Sequence, residues 1–245
     1  MSRPDSRLLG PIFKLWSPFF LLQAGIAASS LPKPTDAPKV HVPGPDPDRI
    51  LVVGGGIAVG FGVLSHELGI VGHLSRMVAA VTGRGVDSDI IAEADFRIHE
   101  VTDRVSQVNL ASYDAVVLML GVTDAIRHTS ARSWYRSLSA LLEEFGDRLS
   151  AGAQVFVVGI QPVRQVTTVN YGVGAAAERH SHLLERESVR ACAAVPHATY
   201  VPFQPKVEHS SRYRTSAMYQ KWAALVAPSV AESLQRNHPL GDFTI

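Results

Sequence analysis

The chain has 245 residues, 46% hydrophobic and 18% charged, which suits one globular domain with a sizeable core. With 23 Lys+Arg against 22 Asp+Glu and no basic cluster, it has no single-sign field to hold nucleic acid, and nucleic-acid partners are excluded. A lone cysteine, Cys192, excludes an intramolecular disulfide and a Cys-rich zinc site, and its surroundings, Val189-Arg190-Ala191-Cys192-Ala193-Ala194, read as a buried structural thiol.

In chain order, residues 1–31 stand apart. Arg3, Arg7 and Lys14 precede an uncharged run from Leu15 to Leu31 that closes on Ala27, Ala28, Ser29 and Ser30. The pattern reads as a signal peptide with an Ala-x-Ser type of cleavage site, or as an anchor. Pro11, Pro18 and Gln23 argue against a spanning helix, which needs about 20 mainly apolar residues. The alternative is an apolar helix on the domain surface or, through residues 8–30, on a membrane face. The expected location is cytoplasmic with membrane association, or exported if residues 1–30 are a signal peptide. Residues 32–48 hold Pro32, Pro34, Pro38, Pro43, Pro45 and Pro47 and read as a stiff extended linker. The folded domain is expected over 49–237, followed by a tail at 238–245.

Within it, Ile50–Val53 is a buried strand that runs into Gly54-Gly55-Gly56, with Gly60 four residues on. The glycine-rich stretch 60–72 delays the first helix to His73–Thr82, which Gly83-Arg84-Gly85 stops. Ser88–Ala92 is the second strand, and a short helix covers His99–Val108. Ala115–Leu120 is continuously apolar, as in a strand buried on both faces. Ser130 caps a helix with the stripe Trp134, Leu138, Leu141, Leu142 and Phe145. Val155–Ile160 and Thr199–Pro202 are further strands and Gly174–Ala194 is helical. Ser216–Arg236 is the last helix, with Trp222, Leu225, Val226, Val230 and Leu234 on one face. This alternation predicts an α/β fold, a three-layer α/β/α sandwich around a mostly parallel, flavodoxin-like sheet.

In such sheets ligands sit at the carboxyl ends of the strands, which directs attention to Val53-Gly54-Gly55-Gly56, to Leu118-Met119-Leu120-Gly121-Val122-Thr123-Asp124, and to Ser210-Ser211-Arg212-Tyr213 followed by Tyr219 and Trp222-Ala223. Their order resembles that of the SGNH (GDSL) hydrolases. In that family a strand runs into Gly-Asp-Ser, a second ends in Gly-x-Asn-Asp, and an Asp-x-x-His precedes a tyrosine and Trp-Ala in the last helix. The resemblance implies a serine nucleophile at Gly56, an oxyanion-hole asparagine at Thr123, and an aspartate and histidine at Ser210 and Tyr213 (or, one register on, Ser211 and Arg214). It also implies a glycine near Ala92–Phe96, where none occurs. Asp124 is retained and looks structural.

The departures point to a degenerate member that has lost ester hydrolysis and keeps a small-molecule binding or regulatory role. Its vestigial-site positions are Gly55, Gly56, Thr123, Asp124, Ser210 and Tyr213. The expected ligand is a small acyl-bearing or anionic molecule, held by backbone amides freed at Gly55 and Gly56, with Arg127 and His128 adding positive charge and Arg164 lining the same edge.

Two alternatives stay open. A residual or relocated ester hydrolase would use Ser65 and His66, or His209 beside Ser210, although only the neighbouring Glu67 or Glu208 is evident as a carboxylate partner. A dinucleotide-binding enzyme would use Gly54-x-Gly56 with Glu93 or Asp95 on the ribose, although the spacing to Gly60 is a variant. No cofactor and no metal are expected: the ten histidines form no HExxH-type pair, and His180 and His182, two apart, leave a helix on different sides. Oligomeric state is not legible.

Overall fold

The structure, a computed structural model, describes residues 31–163, 171–205 and 214–237. Six strands form one sheet: β1 (Lys39–Val42), β2 (Asp48–Gly54), β3 (Val86–Ala92), β4 (Ala115–Met119), β5 (Gln154–Val158) and β6 (Ala198–Val201). Their order across the sheet is β1-β3-β2-β4-β5-β6. All neighbours are parallel except β1, which pairs antiparallel with β3. The helices are α1 (Ile70–Thr82), α2 (Val101–Val105), α3 (Val122–Ile126), α4 (Ala131–Arg148), α5 (Tyr171–Ala193) and α6 (Ser216–Asn237).

Strand periodicity sorts the core into two layers. Ile50 and Val52 of β2 point to α1 and α6, where Leu74, Val78, Tyr219, Trp222 and Val226 pack. Leu51 and Val53 point to the other face, against Trp134, Leu138 and Phe145 of α4 and Leu184 of α5. Cys192 lies in that second layer, and burial pushes its thiol up to about 11. Ser130 caps α4 as expected, its hydroxyl accepting from the Ser133 amide at 3.1 Å. Trp134 Nε1 donates to Ser188 Oγ at 2.9 Å and fastens α4 to α5. Among the described residues no helix is long and apolar enough to cross a membrane.

Four expectations need correction. The proline-rich segment 32–48 is not all linker, because Lys39–Val42 adds an edge strand and Val40 is buried. Its prolines flank the four paired residues instead of interrupting them, which an edge position permits. The folded unit therefore begins before Arg49. Second, α1 starts at Ile70. Gly72 sits inside it because a Cβ there would collide with the Glu67 backbone, so the glycine serves the close approach of the preceding 3₁₀ turn. Third, the expected helix at His99–Val108 is a 3₁₀ turn at Ile98–Glu100 followed by the short α2. Fourth, Leu225 is exposed on α6, off the buried row of Tyr219, Trp222, Ala223, Val226 and Val230.

His73 links the two helices of the first layer. Arg76 can only donate, so His73 Nδ1 accepts from it at 3.0 Å and Nε2–H donates to Ser216 Oγ at 2.8 Å. Burial, and then the Arg76 charge, hold the imidazole below its ordinary 6.5. A depressed histidine contributes stability that is present above the unfolded value and lost as pH falls through the folded one. The melting temperature of the wild type is therefore expected to fall more steeply between pH 7 and pH 5 than that of His73→Gln. Parallel slopes would remove His73 from the account.

Candidate functional site

The chain passes from β2 to β3 on one side and returns to β4 on the other, which opens a crevice between the carboxyl ends of β2 and β4. The Gly54 turn and the Gly121–Asp124 turn meet there, since Gly54 pairs with Met119. Gly54 has no room for a side chain: a Cβ would lie 2.6 Å from Met119 O. The Gly54 carbonyl accepts from the Glu93 amide at 3.2 Å, so the turn also holds the end of β3.

The three glycines differ in what they leave free. The Gly55 amide is not available, because it donates to Met119 O at 2.9 Å, which corrects the expectation of two free amides. Around Gly55 a Cβ would meet nothing closer than 3.5 Å. Gly56 has φ +36°, a Cβ there would meet nothing within 4 Å, and its carbonyl accepts from Arg214 Nη1 at 3.2 Å. The residue where the resemblance implies a nucleophile thus lies in open space, with a guanidinium beside it.

Arg214 is the residue that sequence reading named and passed over. Aligning through Tyr219 and Trp222 put Ser210 and Tyr213 at the aspartate and histidine positions, and both lie outside the described residues, as do Arg164, Glu208 and His209. Arg214, named in the alternative register, is described, and it meets the turn at Gly56. Tyr219 anchors this approach, its buried hydroxyl donating to Phe61 O at 2.8 Å. Gly62 lies so close to the Arg214 carbonyl that a Cβ would collide with it. The sequence carries Arg214 only as the alternative to Tyr213, and its contact with Gly56 is visible only in the structure.

On the β4 side, Thr123 is buried, and its hydroxyl makes no hydrogen bond among the described residues. Asp124 is fully buried and fixes the turn. One carboxylate oxygen accepts from the Ile98 amide at 3.1 Å and the other from Thr129 Oγ1 at 2.7 Å. Burial raises its pKa against those two hydrogen bonds and the nearby charges of Arg97 and His99. Asp124 is thus an internal staple between the β3 and β4 loops. Of the cations expected beyond it, Arg127 is exposed at the end of α3. His128 has φ +53° and stacks on His180 at 4.7 Å, and His180 Nε2 donates to Thr129 O at 2.7 Å. One strand further along the same edge, Gln161 is 3% exposed and neither of its amide atoms has a partner among the described residues. The flanking amides of Ile160 and Val163 donate to Glu185 at 3.2 Å and to Glu178 at 2.6 Å, so this turn is held to α5 on both sides of Gln161.

Ser65 and His66 are not at the crevice turn itself but further along the glycine loop, and the structure supplies the carboxylate that the sequence did not reveal. Asp36 accepts from His66 Nδ1 at 2.7 Å and from the His66 amide at 3.0 Å. Desolvation works against the Asp36 carboxylate, but the two hydrogen bonds and the charge of His66 leave its pKa lowered. For the dinucleotide reading, α1 begins only at Ile70, so no helix N-terminus follows the glycines, and Glu93 is paired with Arg104 at 2.9 Å. Among the described residues no group of three His, Cys, Asp or Glu side chains is placed to hold a metal ion.

No protein-family model and no curated protein matches the sequence. Solved structures do. A carbohydrate esterase family 2 enzyme with a carbohydrate-binding domain, from Corynascus thermopiles (Myceliophthora fergusii), superposes with a TM-score of 0.58 at 14% identity over 78% of this chain and 68% of that one. The psychrotrophic esterase EstA of a Pseudoalteromonas species gives 0.56 at 15% identity over 77% and 99%. A variant of an acetyl xylan esterase from Geobacillus stearothermophilus gives 0.53 at 13% identity over 78% and 96%. The fold is therefore that of the SGNH (GDSL) esterases and lipases. At these identities the likeness establishes the fold and not the chemistry.

Proposed function

We propose that this SGNH-fold domain has lost serine-based ester hydrolysis and binds a small anionic or acyl-bearing molecule in the crevice between β2 and β4. The observation that carries the reading is the pairing at Gly56: open space where a nucleophile would project, with the Arg214 guanidinium on the same residue. A guanidinium is charged at any physiological pH and is a poor general base, whereas it holds carboxylates and phosphates well. The Gly56 amide and the Thr123 hydroxyl add neutral donors.

Short-chain p-nitrophenyl ester turnover is expected to equal that of buffer, for the wild type and for Gly56→Ser alike, because a serine without a base is a weak nucleophile. Turnover well above buffer in the wild type would overturn the reading. A Gly56→Leu variant is unsuitable as a block, because it would force a branched side chain onto a backbone with φ +36°. Gly55→Leu avoids that strain, its backbone being outside the left-handed region, and fills the crevice floor between the glycine turn and the Glu93–Phe96 segment. It is expected to abolish stabilisation by carboxylate and phosphate probes in thermal-shift assays.

A second reading rests on the Asp36–His66 pair, in which the carboxylate fixes Nδ1–H and leaves Nε2 unbonded among the described residues. Under it, any ester turnover present would be lost in His66→Ala and reduced in Asp36→Asn, and would survive Gly55→Leu.

A further inference from the structure

Gln161 lies in the turn after β5, and neither its carboxamide nor its backbone amide makes a hydrogen bond among the described residues. The residue is buried. A buried amide left in that state destabilises a fold, and such groups are rare. Looseness does not account for it. Glu185 holds the Ile160 amide and Glu178 the Val163 amide, so α5 grips the turn on both sides. The backbone that carries the carboxamide is thus fixed, while its donor and acceptor stay unused.

The direction of the side chain follows from its neighbours. Pro162 restricts Gln161 to extended backbone, in which successive side chains point to opposite sides. Ile160 points into the second core layer, beneath Gly121. Gly159 faces the other way, where a Cβ would lie 2.8 Å from the amide nitrogen of Phe203, a first-layer residue. Gln161 shares the side of Gly159. Tyr219 packs in that same layer, with Arg214 beside its hydroxyl. Gln161 and Arg214 therefore stand on one side of the carboxyl edge, above β5 and β2, and β4 with its Gly121 turn lies between. Two inter-strand spacings make that separation about 10 Å, and the two side chains bridge part of it.

We propose that Gln161 sets the specificity of the crevice: a ligand held by its carboxylate at Arg214 presents an amide, a few carbon atoms away, to the Gln161 carboxamide. A carboxamide offers a donor and an acceptor side by side, and a second amide meets both at once. A carboxylate lacks the donor and an alkyl chain lacks both, so neither satisfies Gln161. The proposal rests on the anion reading of Arg214 and narrows it to one class of ligand, an ω-amido acid.

The test titrates the full-length chain calorimetrically with succinamate and glutaramate, each against the methyl-ketone acid of the same length, which lacks only the amide donor. At least one amido acid is expected to bind at least about tenfold more tightly than its ketone counterpart. Gln161→Met keeps the length of the side chain and removes both polar atoms, so it should erase that difference. Its melting temperature without ligand should equal or exceed that of the wild type, because the uncompensated amide is gone. A lower melting temperature would show a structural carboxamide and overturn the proposal. Equal affinities within each pair of acids, or a difference that survives Gln161→Met, would do the same. If hexanoate and the ketone acids bind with no preference for an amide, this proposal falls and the anion reading stands. If no acid binds, hexanoate included, both fall.

Discussion

Gly121→Ala is expected to cost about 3 kcal/mol and to lower the melting temperature by about 6–12 °C. Gly121 has φ +107°, in the region that side chains avoid, and it begins the turn that presents Thr123 and Asp124. A Cβ there would lie 2.6 Å from Ile160 Cδ1 and 3.2 Å from the Trp134 ring, both buried in the second core layer. Backbone strain and overpacking act in the same direction, and neither neighbour has space to retreat. Gly55→Ala is the matched control. Its Cβ meets nothing closer than 3.5 Å and its backbone is outside the left-handed region, so its effect should stay within about 0.5 kcal/mol. Thermal or urea melts of the two variants separate the explanations. Equal losses would mean that the turns tolerate or resist side chains for reasons other than the geometry described.

Arg214→Leu is expected to abolish anion binding while leaving the fold nearly unchanged. A ligand at about 100 times its dissociation constant stabilises the native state by about 2.7 kcal/mol, or about 5–10 °C for a domain of this size. Hexanoate and inorganic phosphate are suitable probes, one acyl-bearing and one not. If either stabilises the wild type, Arg214→Leu should remove the shift and Arg214→Lys should keep part of it, since lysine retains the charge without the planar fork. The side chain is half-buried, donates to Gly56 O and lies beside the buried Tyr219 hydroxyl, so the substitution itself should cost about 1–2 kcal/mol. An undiminished shift in Arg214→Leu would place the anion elsewhere.

The sheet and its layers were legible in the sequence because burial imposes a period. Ile50–Val53, Ala115–Met119 and Val155–Val158 can be so uniformly apolar only if both faces are covered, and the Trp134 row on α4 repeats at helical spacing. The glycines after β2 were legible as a turn for a related reason, since no other residue accepts both the close approach at Gly54 and the positive φ at Gly56. Local pattern therefore determined the fold class and the carboxyl edge as the place to look, and the resemblance put glycine and threonine, Gly56 and Thr123, where it implies serine and asparagine.

What pattern could not supply were pairings between residues far apart in the chain. Lys39–Val42 is too short to show a period and becomes a strand only because β3 offers an unpaired edge. Asp36 and His66 are 30 residues apart, Gly56 and Arg214 158 apart. Neither pair leaves a local signature, because an ion pair or a hydrogen bond constrains two positions and nothing between them. The tertiary structure alone decided that the Gly55 amide is taken by Met119, that Gly56 faces open space, and that a guanidinium stands beside it. Those three facts turn a glycine-rich turn into a candidate anion site.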